Sequence, residues 1–491
     1  DQTGIAGFYD PGTLEPVAAD VNNDVYDEIF LVKGANPIKV YGLHHNLTPL
    51  SGWPVEIASS DLGGANLHAP TIVDVNGDGY RDIIVTGEDK IVVYHGNGSI
   101  YKTINLTGVH AIASKSLGVD LSGSAEKEIV KSYVSDGSTY LTVLNSTSNH
   151  STGWPRLVYN TTTSYRCSDD EYESTPSLGD IDNDGQFEII LGTPRNVYGD
   201  QGTRSCEGQV HAFESNGTYV PGFPLNVSGA IYGSVSVGDV DNDGHEELVV
   251  GTVYSNASNS GLYVINHTGG SQQVLLNNKS IACSPALVDT NGDHHLEIVV
   301  STLNNTVYLL NMSGVLPGWP KNTSQTATRG ASIFANQGIL LGSGHGFNTT
   351  PGGIQGWSYQ GVGLNGFPKF TQSATDTSVT VGDINNDGLL EMVVASPWDV
   401  DRVYQTNKYR GSLYLFETNF SVNHSTQYWP MVLHDEMATS RYISPNDVPR
   451  ATGFDRRTTE FRLEPSLDNV TLFVENDYGF VSWLHGLNVT G

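Results

Sequence analysis

Short apolar runs recur along the chain, each separated from the next by a polar turn, with a period near 50 residues. In each unit a continuous apolar run such as EIILGT (188–193) is followed by an alternating run such as GLYVINHTG (261–269) or TVYLLNMSG (306–314). Runs this short, bounded by Gly, Asn and Asp, predict β-strands. A period of this length that contains only strands is typical of propeller blades and not of helical solenoids.

One motif marks the start of each unit. Its two fullest copies are SLGDIDNDGQFEIILGT (177–193) and SVGDVDNDGHEELVVGT (236–252). Related copies occupy 16–32, 71–87, 286–302 and 380–396. A degenerate copy occupies 116–132, and residues 330–343 keep the apolar runs without the acidic residues. The first aspartates fall at positions 20, 74, 120, 180, 239, 289 and 383. Because the last interval is about twice the others, it contains two units.

Each unit predicts four antiparallel strands, A to D, and the chain predicts an all-β fold: one large β-propeller of four-stranded blades. A Gly-aromatic-Pro triplet ends most units, at 52–54, 153–155, 222–224, 318–320 and 366–368, with YWP at 428–430. The triplets share no other chemistry, so we expect their aromatic rings to pack between blades and not to stack on a ligand.

The two ends of the chain predict how the ring closes. Residues 470–486 match strands B and C with no D strand after them, and Gly4–Phe8 resembles a D strand with no C strand before it. We expect the N-terminal segment to complete the last blade of its own chain, which removes an exposed sheet edge. The alternative is that it pairs with a neighbouring chain and makes a head-to-tail contact. Nine B–C hairpins then allow either nine blades or eight with an irregular joint at 431–469.

The predicted organisation has three parts. A closing strand occupies 1–15, and an irregular Arg-rich segment with a final hairpin occupies 431–491. Eight repeat blades occupy 16–430, with starts near 16, 69, 114, 175, 234, 284, 330 and 378.

The acidic loop between strands A and B carries the chemistry of the repeat. Oxygen-bearing side chains stand at loop positions 1, 3, 5 and 9, and a glycine after position 5 permits a sharp turn. This is the ligand logic of an EF-hand loop, shortened and set between strands, and it predicts about six Ca²⁺ sites. The alternative is a set of Asx-rich turns that hold no metal.

The loops are numbered here by blade. The predicted ligands are Asp20, Asn22, Asp24 and Glu28 in loop one; Asp74, Asn76, Asp78 and Asp82 in loop two; Asp180, Asp182, Asp184 and Glu188 in loop four; Asp239, Asp241, Asp243 and Glu247 in loop five; Asp289, Asn291, Asp293 and Glu297 in loop six; and Asp383, Asn385, Asp387 and Glu391 in loop eight. Loop three (Asp120, Ser122, Ser124, Glu128) has lost charge and is expected to bind weakly or not at all. Loop one has Val25 in place of the glycine.

The DxDxDG loop, followed by EIVVG-like and LYVxN-like strands, resembles FG-GAP/VCBS repeats over 16–430 and in part over 470–486. Such repeats are found in integrin α-subunit heads and in microbial surface proteins. The resemblance implies a calcium-stabilised propeller with a binding or structural role. It does not imply integrin function, because this chain has more repeats than an integrin head and no Arg-Gly-Asp motif.

The negative net charge of the chain favours cation binding and limits the classes of molecule that it is expected to bind. The formal net charge is −29, and the six full loops hold 20 of the 53 acids. A surface this acidic repels nucleic acid and anionic lipid. No window approaches 18 continuous apolar residues, so no membrane-spanning helix is expected. No signal peptide stands at Asp1, and we interpret the chain as a mature form whose targeting segments were removed.

N-glycosylation sequons occur roughly threefold more often than chance predicts, which indicates exposed loops of an exported protein. Eight of them fall in the turn after strand C, which lies at the same end of a blade as the acidic loop. These are Asn46, Asn97, Asn145, Asn216, Asn266, Asn311, Asn419 and Asn488. The others are Asn105, Asn149, Asn160, Asn226, Asn256, Asn278, Asn304, Asn322, Asn348, Asn423 and Asn469.

The cysteines leave one alternative open. Cys167 and Cys206 flank an irregular stretch and either form a disulfide or remain free. Cys283 lies in an apolar run and is expected to be a buried free thiol.

We find no catalytic motif, so we expect a non-catalytic extracellular or cell-surface glycoprotein with a structural, adhesive or assembly role. Its expected partners are surface proteins, glycans or copies of itself. The alternatives are a lyase-like, calcium-dependent polysaccharide enzyme or a lectin-like module that uses Trp357 or Trp398. The five arginines within 434–465 either form salt bridges in the ring or contact an acidic surface.

Overall fold

In the computed structural model the apolar runs form β-strands, and the described residues contain no α-helix. The structure describes residues 2–9, 15–33, 37–58, 68–87, 89–106, 114–123, 126–135, 138–145, 147, 149–160, 174–198, 204–253, 260–323, 330–334, 337–343, 352–371, 375, 377–400, 409–421, 472–475 and 481–484.

The strands follow the chain as eight successive groups between an N-terminal strand and a final hairpin. The first strands are β1 (Gln2–Tyr9); β2 (Val17–Ala19), β3 (Glu28–Lys33), β4 (Ile38–Leu43) and β5 (Val55–Ile57); β6 (Thr71–Val73), β7 (Asp82–Thr86), β8 (Lys90–Tyr94) and β9 (Ile100–Asn105); and β10 (Leu117–Val119), β11 (Glu128–Ser135), β12 (Ser138–Leu144) and β13 (Arg156–Asn160). The middle strands are β14 (Ser177–Gly179), β15 (Glu188–Tyr198), β16 (Arg204–Phe213) and β17 (Leu225–Ser228); and β18 (Ser236–Gly238), β19 (Glu247–Gly251), β20 (Gly261–Ile265) and β21 (Gln272–Asn277). The last strands are β22 (Ala286–Val288), β23 (Glu297–Thr302), β24 (Thr306–Asn311), β25 (Gly314–Val315) and β26 (Lys321–Asn322); β27 (Ser332–Phe334), β28 (Gly338–Ser343), β29 (Gly353–Trp357) and β30 (Lys369–Phe370); β31 (Thr380–Gly382), β32 (Leu389–Val400) and β33 (Tyr409–Ser421); and β34 (Leu472–Glu475) and β35 (Val481–Leu484).

Each group is an antiparallel sheet in chain order, which gives an eight-bladed propeller, one of the two blade counts that the sequence left open. In blade six the outer strand is split, because β25 pairs with the end of β24 and β26 pairs with its start. Burial falls from the inner to the outer strand of a blade. In blade two every residue of β6 and β7 is buried, whereas only Ile104 of β9 is. This gradient explains why A and B strands are continuous apolar runs.

Neighbouring blades share their cores. One apolar cluster joins Trp53 of blade one to Ile83 and Tyr94 of blade two. Another joins Ile29 of blade one to Val393 of blade eight, so the packing continues around the ring. No sheet buries both of its faces alone, and each blade depends on its two neighbours for a core.

Hydroxyl groups on the inner strands connect one blade to the next. Ser236 Oγ in blade five donates to the carbonyl of Pro285, which precedes β22 of blade six, at 2.6 Å. Thr380 Oγ1 in blade eight donates to the carbonyl of Pro16, which precedes β2 of blade one, at 2.7 Å. This second bond, with contacts between β2 and β31, closes the ring.

The N-terminal strand completes the eighth blade, as predicted, but its partner was wrongly expected to be the hairpin at 470–486. Strand β1 pairs antiparallel with β33, with Ile5 opposite Tyr414, and the sheet order is β1, β33, β32, β31. Within the described residues, β34 and β35 pair only with each other. The 13-residue β33 offers a long C-strand edge that its own blade otherwise leaves unpaired.

The Gly-aromatic-Pro triplets of blades one, three, four and six dock each of these blades on the next, and the predicted packing of their rings between blades is confirmed. The YWP triplet at 428–430 lies outside the described residues. Trp53 is 6 % exposed, and its indole Nε1 donates to the carbonyl of Gly96 in the C–D turn of blade two at 2.8 Å. Trp154 Nε1 donates in the same way to Ser215 O at 2.9 Å. The glycine before the ring is equally constrained, because a β-carbon on Gly52 would collide with the carbonyl of Asn97.

The blade contact predicts different costs for two glycines of the same motif. Gly52 has φ +88° and faces Asn97 O, whereas Gly366 has φ +82° with no atom within 4 Å of an added β-carbon. Alanine at either site meets the left-handed backbone penalty of about 1–2 kcal/mol. Gly52→Ala should lower the free energy of unfolding by about 1–3 kcal/mol more than Gly366→Ala, because its methyl group must displace a neighbouring turn. Urea unfolding measures both, and equal losses would contradict the docking argument.

Candidate metal centres

The six full acidic loops join strands A and B of blades one, two, four, five, six and eight, and neighbouring loops touch. Asn183, at position 4 of loop four, donates from Nδ2 to the carbonyl of Gly244 in loop five at 2.7 Å. Asn23 of loop one donates in the same way to Gly79 O of loop two at 3.0 Å. The loops therefore form an arc of carboxylates at one end of the propeller.

The first aspartate of each loop folds the loop around its own carboxylate. In loop five, Asp239 Oδ1 accepts from the backbone N–H of Asp243, and Oδ2 accepts from that of Gly244, both at 3.0 Å. Asp383 makes the same two bonds to Asp387 and Gly388 in loop eight. These are Asx-type turns, so this position serves the backbone whether or not an ion is bound.

The last acid of each full loop lies in strand B, at its first residue in all but loop eight, and is almost fully buried. Glu188 and Glu247 are 0 % and 2 % exposed. In loop five, Glu247 Oε2 accepts from the backbone N–H of Val240 at 2.9 Å, and Oε1 is buried without a hydrogen-bond partner. Oε1 of Glu188 and Oε1 of Glu391 are in the same condition. A buried carboxylate oxygen without a partner is costly, and a bound cation would satisfy it.

The pKa values of these last acids follow from their burial. Burial, opposed by the Val240 hydrogen bond and reinforced by the negative charges of Asp241, Asp243 and Asp239, raises the pKa of Glu247 to about 8. Burial likewise raises the pKa of Glu188 to about 8 and that of Glu391 to about 7. Without a cation, ionising these side chains at neutral pH therefore costs free energy.

Loops four and five bring the predicted carboxylates together most closely. Oxygen atoms of Asp180, Asp182 and Glu188 lie within 4.8 Å of one another, and those of Asp239, Asp241 and Glu247 do the same. These are the two loops with aspartate at position 3. Three hard oxygen ligands at this separation, with backbone carbonyls and water, suit a divalent cation such as Ca²⁺.

Loops one, two, six and eight carry asparagine at position 3, and its amide takes a different part. Asn22 Nδ2 donates to Glu28 Oε1 at 2.9 Å, and its Oδ1 accepts from the backbone N–H of Asp24 at 2.8 Å. In the other three loops the amide donates to the position-5 acid; these pairs are Asn76 with Asp78, Asn291 with Asp293, and Asn385 with Asp387. In all four loops the asparagine side chain therefore lies next to another predicted ligand. Each of these loops has one negative charge fewer at position 3 than loops four and five.

Loop three holds a positive charge of its own. Lys127 Nζ lies 3.6 Å from Asp120 Oδ2, and both side chains are largely buried. Glu128 still accepts from the backbone N–H of Leu121 at 2.9 Å, as the last acid of a full loop does. The ammonium group occupies the neighbourhood that a cation would otherwise fill.

Sequence reasoning missed the residues that the C–D turns bring to the loops. His95 Nδ1 lies 3.0 Å from Asp82 Oδ1, and His44 Nδ1 lies 3.8 Å from Glu28 Oε1. A carboxylate oxygen of Glu214 lies within 4.8 Å of those of Asp182 and Asp184. The signal was present in the sequence, since the turn after strand C and the acidic loop share one end of a blade.

The predicted sequons lie on accessible surface wherever their side chains are described. The exposed asparagines are Asn46, Asn97, Asn105, Asn149, Asn216, Asn226, Asn278, Asn304, Asn322 and Asn419, and the half-buried ones are Asn145, Asn266 and Asn311. In the C–D turn of blade four, Asn216 Oδ1 accepts from Thr218 N and Thr218 Oγ1, both at 2.8 Å. The amide nitrogen is thus left to other partners. Asn256, Asn348, Asn423, Asn469, Asn488 and the side chain of Asn160 lie outside the described residues.

Of the remaining predicted features, some lie within the described residues and the others lie outside them. Cys283 is a buried free thiol, as predicted, although it precedes β22 and is not within a strand. Trp357 packs edge-on against Trp319, with ring centroids 6.2 Å apart. Cys167, the 434–465 segment and the side chains of Cys206 and Trp398 lie outside the described residues.

Bilayer-spanning helices were sought in the described part of the chain. No segment there forms a helix of sufficient length and apolarity to cross a membrane.

Comparison with known proteins identifies the repeat. The FG-GAP-like repeat family matches residues 180–250, and the FG-GAP repeat family matches residues 376–416. These ranges contain loops four, five and eight. No curated protein matches the chain in sequence at a significant level.

Solved structures share the fold at low identity. Sqt1 from Saccharomyces cerevisiae is 11 % identical with a TM-score of 0.53, over 85 % of this chain and 98 % of that one. The quinohemoprotein alcohol dehydrogenase from Comamonas testosteroni is 10 % identical with a TM-score of 0.54, over 86 % of this chain and 77 % of that one. At these identities the likeness shows the fold alone.

The buried acids predict an inverted pH dependence of stability in metal-free buffer. Glu188 and Glu247 have folded-state pKa values of about 8 against an ordinary value of 4.5, so between these values the folded state binds more protons than the unfolded state. Stability should therefore fall as the pH rises from about 5 to about 8. The double variant Glu188→Gln/Glu247→Gln should flatten this fall. Thermal unfolding across the pH range measures it, and a rise in stability toward pH 8 in the metal-free protein would refute the assignment.

Proposed function

Because the chain belongs to the FG-GAP repeat β-propellers, we propose that it is a non-catalytic module of an extracellular or cell-surface glycoprotein, in which calcium ions stabilise a ring that binds other molecules. The observation that carries the proposal is the buried glutamate oxygen without a partner in loops four, five and eight. The module presents surfaces to surface proteins, to glycans or to copies of itself.

Calcium fits the donors that the loops provide. Ca²⁺ takes six to eight oxygen ligands in flexible geometry. Each full loop offers its side-chain oxygens at positions 1, 3, 5 and 9, with a backbone carbonyl near position 7. The ion supplies the positive charge that the buried last acid lacks, and it connects that acid to the loop that precedes strand B.

The loops are expected to differ in affinity. Loops four and five, with four acids each, bind most tightly. Loops one, two, six and eight bind more weakly, because asparagine replaces one charge and must present its amide oxygen to the ion. The backbone of loop one is also strained, since Val25 adopts φ 73° in the left-handed region. The other full loops have glycine at this position, except loop six, which has His294.

A scaffold role explains the clustered carboxylates of the acidic loops without assigning them a catalytic function. The loop acids that stand close enough to act as an acid–base pair are engaged with loop backbone N–H groups, as Asp239 and Glu247 are. These contacts fix the position of each blade's A–B connection. The outer strands remain available for contacts, with Ile100 61 % and Phe370 67 % exposed.

Glycosylation fits the exposed C–D turns and the export that the sequons indicate. Glycans on these turns would stand beside the metal loops, because the same turns carry His95 and Glu214. Contacts with partners would then use the sides of the ring and the surfaces between sugars.

Calcium should raise the melting temperature, because a ligand that binds only the folded state stabilises it by mass action. At a free concentration about 100 times the dissociation constant, one site contributes about 2.7 kcal/mol. Asp241→Asn gives loop five the position-3 asparagine of loops one, two, six and eight, so it should lower the calcium affinity of that one site and remove part of the thermal shift. Isothermal titration gives the number of ions, and thermal unfolding with and without chelator gives the shift.

A matched control is Asp120→Asn in loop three, where Lys127 already supplies the counter-charge. It should leave the number of bound ions unchanged. A wild-type protein that binds no calcium and melts at the same temperature in chelator would refute the calcium proposal.

Glycosylation is tested at a single turn. Thr218→Ala removes the sequon of Asn216, whereas Thr218→Ser keeps both the sequon and the hydroxyl donor to Asn216 Oδ1. In protein secreted from a glycosylating host, the intact mass should drop by one glycan in the alanine variant and not in the serine variant. If protein from its native source had the same mass as the bare polypeptide, the glycosylation proposal would be refuted.

A further inference from the structure

A second set of ligands overlaps loop five. Asp243, Glu247 and His267 each offer one ligand atom, and these three atoms lie within 4.8 Å of one another. Asp243 belongs to the acidic loop and Glu247 begins β19, whereas His267 stands in the C–D turn between β20 and β21. Two segments of the blade therefore converge on one point, and the repeat pattern of acids does not explain the imidazole.

Two side chains of this set each carry a buried polar atom without a hydrogen-bond partner. Glu247 is 98 % buried, since its exposed fraction is 2 %, and its Oε1 has no hydrogen-bond partner. His267 Nδ1 is also shielded from solvent without a partner. Leaving a polar atom buried and unsatisfied is costly. One cation between them would satisfy both atoms.

The ring of His267 is held in place by a second imidazole. His245 stacks on it with ring centroids 4.1 Å apart and an interplanar angle of 17°. His245 Nδ1 in turn lies 3.0 Å from Asn183 Nδ2 of loop four. Such support keeps a ligand in its binding orientation and lowers the entropy cost of metal binding.

Blade four places a different group at this point, whereas blade one also has an imidazole there, that of His45. The C–D turns of blades four and five correspond through their turn hydrogen bonds, Gly217 N to Glu214 O and Gly269 N to Asn266 O. By this alignment Ser215 is the counterpart of His267. Among the described residues, the combination of imidazole, buried carboxylate and loop aspartate within one ion's reach occurs in blade five.

We propose that Asp243, Glu247 and His267 bind a first-row transition-metal ion of the zinc type. Calcium takes oxygen ligands, whereas a neutral imidazole nitrogen favours ions such as Zn²⁺ and Co²⁺. Three protein ligands leave a fourth position open to water or to an incoming ligand. The proposal refines the calcium assignment of one loop and rests on it in part, since Asp243 and Glu247 are also calcium ligands of loop five; the two ions compete in blade five alone.

Cobalt is the probe for this site. Metal-stripped protein is titrated with Co²⁺ in excess Ca²⁺, which fills the oxygen-only loops, and binding is followed by visible absorption and calorimetry. One tight equivalent is expected for the wild type. His267→Ser, which installs the blade-four residue, should weaken it by about 10–100-fold or more, because even indirect supports of a metal ligand contribute that much.

The control is His294→Ser, which removes an exposed imidazole whose Nδ1 lies 3.9 Å from Asp289 Oδ2 in loop six. It should leave the cobalt equivalent intact. Wild-type protein that binds no cobalt in excess calcium, or His267→Ser protein that binds it as tightly as the wild type, would overturn the proposal. A calcium-induced rise in melting temperature, measured on the same samples, shows that the variants fold. If the wild type lacks that rise but keeps the cobalt site, only the calcium proposal fails.

Discussion

The docking of the Gly-aromatic-Pro triplets of blades one, three, four and six on the next blade's C–D turn is the contact on which the rest of the molecule depends. A single β-carbon at Gly52 would separate the two surfaces, and the Trp53 indole would lose its carbonyl acceptor. Since the inner strands of each blade are buried on both faces by their neighbours, separating one pair of blades exposes two sheets at once. The stability of the ring is therefore a property of its joints more than of its individual blades.

The same joints position the chemistry. A C–D turn that is held by the preceding blade cannot move away from its own acidic loop, so His95 and His267 stay within reach of Asp82 and Glu247. Charge in the loops and packing between the blades are thus coupled through one short turn. The buried glutamates contribute to this coupling, because burial between the blades raises their pKa values.

Local pattern was enough to predict most of the fold. The apolar runs, the acidic spacing and the triplets each involve residues near one another in sequence, and the strands, loops and buried rings follow them. The predicted partner of the N-terminal strand was wrong because residues 470–486 and 409–421 both have the sequence pattern of a C strand with a free edge. The pattern alone does not show which of the two segments lies beside the N-terminal strand in space. The position of His267 beside Glu247 was missed because it depends on how separate segments meet in space. Lys127 stands in the same loop as Asp120, so its charge was visible in the sequence, but the spacing of the acids says nothing of where its side chain lies.

The eighth blade also sets an order of events during synthesis. Its outer strand, β1, emerges first, but its partner β33 begins 400 residues after β1 ends. At about 5–20 residues per second, the nascent chain carries an unpaired strand for roughly 20–80 seconds while seven blades assemble behind it. An open strand edge is a template for pairing with other chains. The interval before the ring can close is thus when this protein is most exposed to misassembly, and its duration is fixed by translation and not by the folding rate of any blade.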